Sequence, residues 1–152
     1  MIKRNEALSL VQPHLLTLQP YEAVESPEVL AERAGVPASR IVKINGNENP
    51  YGPSPKVQEA LANLNRVHIY PDATQMRMRN VIGSYLNIGS EYVVVGNGSD
   101  EIIDLLFRAF LAPGNAVINC TPTFGMYSFT AHVCGGNTIT IPRDQDFGVD
   151  IP

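Results

Sequence analysis

Val93-Val94-Val95-Gly96-Asn97-Gly98-Ser99-Asp100-Glu101-Ile102 decides the fold class. Three consecutive valines predict a buried strand from Glu91 to Val95, and the glycines predict a turn. Apolar residues at Ile102, Ile103, Leu106 and Phe110 predict a helix over Ser99 to Leu111. A strand that enters a helix through a short glycine turn aims free backbone N–H groups at one spot, at the positive end of the helix dipole. An anion such as phosphate fits there. Gly96 and Gly98 let the backbone bend and approach closely, and Ser99 can cap the helix or offer its hydroxyl. The pattern is not GxGxxG, because residue 101 is Glu, and no Gly-Lys-Ser/Thr follows, so NAD and ATP readings lose ground. A plain strand-to-helix turn capped by Ser99 uses the same residues, and spacing alone leaves both readings open.

Downstream, Pro113-Gly114 stops the helix and Ala116 to Asn119 reads as a short strand. Phe124 to Cys134 reads as a helix ended by Gly135-Gly136, and Asn137 to Ile141 as another strand. Strand, helix, strand, helix, strand over residues 91–141 predicts parallel pairing and an α/β layered fold with right-handed crossovers. Ligands of such sheets sit outside the carboxyl ends of the strands. That edge would hold both the Gly98 turn and Cys120-Thr121-Pro122-Thr123-Phe124-Gly125-Met126-Tyr127. Phe124 can stack on a flat cofactor there, or pack as ordinary core.

Upstream, Ser54 and Pro55 open a helix with Val57, Ala60, Leu61 and Leu64 at helical spacing. Tyr70-Pro71-Asp72 reads as a turn, and Thr74 to Leu86 as a helix with Met78, Val81, Ile82 and Tyr85 on one face. Ser26-Pro27-Glu28 is a helix start, and Gly35 with Pro37 its end. Ile41 to Ile44 is a strand candidate. The polar loop Asn45 to Pro53 follows, whose amides and carboxylate can meet a substrate or simply be solvated.

Composition narrows the classes. Of 152 residues, 44% are hydrophobic and 17% charged, which excludes a disordered or collagen-like chain. A net charge of −4 gives no general pull toward nucleic acid or anionic membrane. No run approaches the ~18 apolar residues of a membrane span, and Met1 to Glu6 has no apolar segment behind it, so a cytoplasmic protein is expected. Cys120 and Cys134 read as buried thiols. His14, His68 and His132 are scattered without metal-ligand spacing, so no metal site is expected.

Taken in order, five segments resemble the histidinol-phosphate aminotransferase family, a class II branch of the fold-type I enzymes that use pyridoxal 5'-phosphate (PLP). They are Leu18-Gln19-Pro20-Tyr21, Asn45-Gly46-Asn47-Glu48-Asn49-Pro50-Tyr51, Tyr70-Pro71-Asp72, Gly98-Ser99-Asp100-Glu101 and Pro122-Thr123-Phe124-Gly125-Met126-Tyr127. The resemblance runs from about Leu18 to Pro152, and family chains are more than twice as long, so these residues are expected to be an N-terminal portion. It implies an N-terminal arm and small-domain segment over 1–52, and the first part of a PLP-binding large domain over 53–152. It also implies roles. Gly98, Ser99 and Asp100 would hold the PLP phosphate, and Phe124, where the family often has Tyr, would stack on the pyridine ring. Tyr70 would reach the phosphate of a neighbouring subunit's PLP in a homodimer. Tyr21 would lie near the substrate phosphate, and Asn47 and Glu48 would line the substrate pocket.

The implied reaction moves an amino group between glutamate and imidazole-acetol phosphate, in histidine biosynthesis. The cofactor supplies the electron sink and the protein positions it. The Schiff-base lysine of the family follows Ser or Thr in a later segment. Here Lys43 follows Val and Lys56 follows Pro, and the other lysine is Lys3. No catalytic residue is therefore assigned, and the 152 residues alone are expected to be inactive. Threonine-phosphate decarboxylase and aromatic aminotransferases of the same fold are the alternatives within the group. A non-catalytic binding or dimerisation module is the alternative outside it.

Overall fold

The computed structural model of the chain describes residues 7–21 and 23–150. They form two compact units, one of residues 23–74 and one of residues 7–21 with 75–150.

In the first unit, helix α1 (Pro27–Ala34) starts as its sequence demands. The Ser26 hydroxyl accepts the Val29 N–H at 3.4 Å, and Gly35 closes the helix at φ 65°, donating its N–H back to Ala31 and Glu32. Helix α2 (Pro55–Ala62) follows Ser54, whose side chain makes no capping bond. Its expected apolar stripe is uncovered, with Val57, Leu61 and Leu64 each about half exposed or more. Ile41 to Ile44 is not a strand, because an extended segment becomes one only by pairing, and no partner exists among the described residues. The turn expected at Tyr70-Pro71-Asp72 falls one step later, at Ala73-Thr74. There the Asp72 carboxylate accepts from the Thr74 N–H (3.0 Å) and hydroxyl (2.6 Å).

In the second unit, helix α3 (Met76–Leu86) begins two residues later than expected because Gln75 adopts φ 52°. Of its expected apolar face only Ile82 is half-buried. Met78, Val81 and Tyr85 are exposed, and the buried residue is Gly83. A Cβ there would lie 2.8 Å from the Ile88 carbonyl oxygen, so the bare glycine admits the 3-10 turn Ser90–Tyr92. Arg79 locks that packing, donating from Nε (3.1 Å) and Nη2 (2.8 Å) to the Ser90 carbonyl. The strand expected over Glu91 to Val95 is absent. Its first residues form that turn, and Val93 to Gly96 have no regular structure and no paired neighbour among the described residues. Val93 is nonetheless buried, whereas Val94 is exposed.

Helix α4 (Gly98–Phe110) leads into strand β1 (Ala116–Thr121), helix α5 (Met126–Val133) and strand β2 (Asn137–Pro142). The strands pair in parallel, in register from Ala116↔Asn137 to Thr121↔Pro142, as the strand-helix-strand reading requires. Helix α5 packs on both strands and on α4. Its Ala131 has no exposed surface and Thr130 almost none, so small residues set the helix close to the sheet. At the start of the strands the Gly114 N–H donates to Gly135 and the Asn137 N–H to Asn115. Leu111 fills the place where a Gly136 side chain would stand, 2.5 Å from a Cβ. The ends of α4 and α5 therefore share the edge where the strands begin, and both helices start toward the edge where the strands finish.

Cys120 and Cys134 are free and half-buried. Burial pushes the Cys134 thiol upward, Asp104 adds to this, and Arg108 opposes it. Among the described residues no helix is long and apolar enough to cross a membrane, and no cluster of three metal-ligating side chains occurs.

Candidate functional site

The glycine turn has the conformation its sequence calls for. Gly98 sits at φ +82° with open space where a side chain would point, and its N–H closes a tight turn on the Gly96 carbonyl at 2.9 Å. The helix cap is Asn97 rather than Ser99, which lies one residue inside α4 and keeps its hydroxyl for other use. Glu101 folds back over the turn, and its Oε2 accepts from the Asn97 backbone N–H and from Asn97 Nδ2 (3.0 Å). Gly96 is bare beneath it, since a Cβ there would meet Glu101 Oε2 and Ile102 Cδ1 at 2.9 Å. The carboxylate thus satisfies the outermost donor. The first-turn N–H groups of Ser99 and Asp100 have no intrahelical acceptor, and both residues are exposed. The turn can receive an anion through these groups.

Phe124 follows β1 at the finishing edge of the sheet. It is 44% exposed, so it is not core, and its ring meets Tyr127 edge-on at 6.1 Å and 88°. One residue on, Gly125 makes room for another ring. A Cβ at Gly125 would stand 3.3 Å from Tyr21 Cε2, and Tyr21 packs edge-on to Phe129 at 6.0 Å and 60°. Tyr21 is therefore seated beside the residue that follows Phe124, a juxtaposition across more than a hundred residues of sequence. Gly125 and Phe129 were not among the expected site residues. Glycine in place of a bulkier residue after Phe124 was the available signal, but only folding reveals what occupies the space.

The remaining expected residues lie in the first unit. Asn47 is exposed in the polar loop. Glu48 pairs with Lys43, Nζ to Oε2 2.7 Å, around the bare Gly46. Asn49 orders the loop's end, its Oδ1 accepting the Tyr51 N–H (3.1 Å) and its Nδ2 donating to the Gly52 carbonyl (3.0 Å). Tyr70 is almost wholly exposed, without a ring contact among the described residues. Lys43 is committed to Glu48, Lys56 is exposed at the start of α2, and Lys3 lies outside the described residues.

Comparison with known proteins places these features in context. The family model for aminotransferase class I and II matches residues 39–152. The histidinol-phosphate aminotransferase of Roseiflexus castenholzii is 44% identical over 147 residues, covering 93% of this chain and 40% of its own length. The chloroplastic histidinol-phosphate aminotransferase of Nicotiana tabacum is 43% identical, covering 94% of this chain and 35% of its own. The chain thus spans two fifths or less of the length of these curated relatives. Among solved structures, histidinol-phosphate aminotransferase from Sinorhizobium meliloti in complex with pyridoxal-5'-phosphate matches with TM-score 0.75 at 22% identity, over 91% of this chain and 36% of that one. Aspartate aminotransferase from Thermotoga maritima matches with TM-score 0.65 at 21% identity, over 93% and 40%. These likenesses show the fold, a partial α/β unit of the kind these two aminotransferases have.

Proposed function

The chain belongs to the aminotransferase class I and II family, and from that premise we propose that the protein carrying it transaminates histidinol phosphate with 2-oxoglutarate, using PLP. The observation that carries this reading is the seating of Tyr21 against Gly125, next to Phe124. It brings the ring of Tyr21, whose phenol suits a substrate phosphate, against the neighbour in sequence of Phe124, whose exposed ring suits a flat cofactor. The names of the relatives at 43–44% identity support the same substrate.

The residues present fit the cofactor. The backbone of Gly98, Ser99 and Asp100 would hold its phosphate at the start of α4, and Phe124 would stack on its ring. When bound, PLP supplies the electron sink for amino transfer. Tyr21 would donate its hydroxyl to the substrate phosphate, and Asn47 and Glu48 would line the substrate pocket, with Lys43 holding the Glu48 carboxylate in place. Tyr70, exposed and uncommitted to a ring contact, would serve the cofactor phosphate of a partner subunit in a homodimer. Residues 1–52 would belong to the arm and small domain, and 53–152 would begin the large domain. Free thiols at both cysteines suit a reducing compartment such as the cytoplasm.

The test is an assay of the natural gene product with PLP, histidinol phosphate and 2-oxoglutarate, reading glutamate. Glutamate formation is expected. Carbon dioxide release from threonine phosphate with no glutamate would replace this reading by the decarboxylase. The 152 residues alone are expected to show no turnover, and borohydride reduction with PLP is expected to leave no stoichiometric label on Lys43 or Lys56.

A further inference from the structure

We propose that Phe129 is a positioning residue for Tyr21, so that preference for a phosphorylated over an unphosphorylated amine is set on α5 as well as at Tyr21 itself. This rests on the reading of Tyr21 given above.

The segment from His14 to Tyr21 lies along α5 against its direction and is held at both ends. At the end of the helix, His14 Nε2 is 3.1 Å from the Val133 carbonyl oxygen, and the His14 ring lies over Gly135, 3.5 Å from where a Cβ would stand. At the start of the helix, Tyr21 lies over the bare Gly125 and edge-on to Phe129. Between them the 3-10 turn Pro13–Thr17 keeps the segment short, with the Thr17 hydroxyl donating to the His14 carbonyl at 3.2 Å. The half-buried side chain of Phe129 has no polar atom and cannot bind phosphate itself. It fixes the ring of Tyr21, which remains 39% exposed and so accessible to a ligand. A phenol held in one orientation donates to an anionic oxygen without first losing rotamer freedom. Without its edge-on partner, the same phenol must be ordered at each binding event.

The experiment uses the natural gene product with PLP, comparing histidinol phosphate with histidinol. Phe129→Leu is expected to raise KM for histidinol phosphate roughly three- to tenfold, the scale of one aromatic pair. It should leave kcat and the constants for histidinol within about twofold, and Phe129→Tyr, which keeps the ring, should restore the wild-type ratio. Gly125→Ala lies at an exposed position and puts a Cβ 3.3 Å from Tyr21, so it should shift the ratio the same way by about two- to threefold even if the leucine variant folds poorly. Tyr21→Phe tests the underlying reading. If it abolishes the preference for phosphate while Phe129→Leu and Gly125→Ala leave the preference intact, Tyr21 keeps its role and Phe129 loses the one proposed here. If Tyr21→Phe itself leaves the preference intact, the substrate-phosphate reading fails and this inference falls with it. The ring resonance of 3-fluorotyrosine at position 21 gives a readout independent of turnover. It should move in Phe129→Leu, and an unmoved resonance overturns the seating.

Discussion

Helices α2 and α4 carry apolar residues at equally regular helical spacing, and only α4 buries any of them. Helix α4 sets Ile103 against its surroundings at 7% exposure, although Leu106 and Phe110 of the same expected stripe are exposed, and α5 closes on the sheet through Ala131. Helix α2 presents Val57 and Leu61 to solvent, and α3 turns Met78, Val81 and Tyr85 outward. Periodicity therefore says which face of a helix needs cover, but not what covers it. In the region around β1 and β2 the crossover connection brings helix and strands together by chain continuity. In the region around α2 no other helix or strand among the described residues packs on the stripe, and at α3 a bare glycine and an arginine clamp take over the packing.

The comparison breaks most readily at the core. Ile103→Ala should cost about 2–3 kcal/mol, whereas Leu61→Ala, already 60% exposed, should stay within about 0.5 kcal/mol. Urea midpoints of the two variants decide it, and equal losses would mean that α2 is covered after all.

Glycines with positive φ sharpen the contrast. Gly135→Ala and Gly52→Ala each force an alanine to a φ above +70°, at roughly 1 kcal/mol. Only Gly135 also faces the His14 ring, so its substitution should lower the thermal midpoint further and loosen the N-terminal segment, seen as faster hydrogen exchange before residue 21. A larger effect at Gly52, where nothing lies within 4 Å, would contradict the packing described.

The smallest effect concerns the caps. Ser26→Ala should cost about 0.5–1 kcal/mol, and Ser54→Ala, which removes no capping bond, should cost measurably less. Ser26 also bonds the Glu28 carboxyl and, with the Glu28 backbone, holds it below its ordinary value. A carboxyl lowered in the folded state contributes stability that is present above its unfolded value and is lost as pH falls through the folded one. Because Glu28 is fully exposed and screened by water, it should add only a small component to the loss of stability below ordinary glutamate titration, and Ser26→Ala should remove that component. An unchanged acid limb would remove Glu28 from the account.

The site divides along the same line. The Gly98 turn was legible because one glycine pattern both breaks a chain and opens a helix, so local chemistry and local geometry coincide there. Phe124 was legible as an aromatic just past a strand, though its exposure was not. The seat of Tyr21 on Gly125 and Phe129 was not legible, since no local rule links positions more than a hundred residues apart. Nor were the strands at Ile41 to Ile44 and Glu91 to Val95 decidable, because β propensity describes a segment that can pair and pairing needs a second segment.

By itself the sequence determined that these helices form, to within a residue or two at most of their ends, and that the chain turns at Gly98. All of these follow from interactions between residues a few positions apart. Tertiary structure alone decided which apolar faces are covered, which extended segments pair, and which ring lies over Gly125. Those outcomes depend on contacts between distant parts of the chain, which spacing along a sequence does not encode.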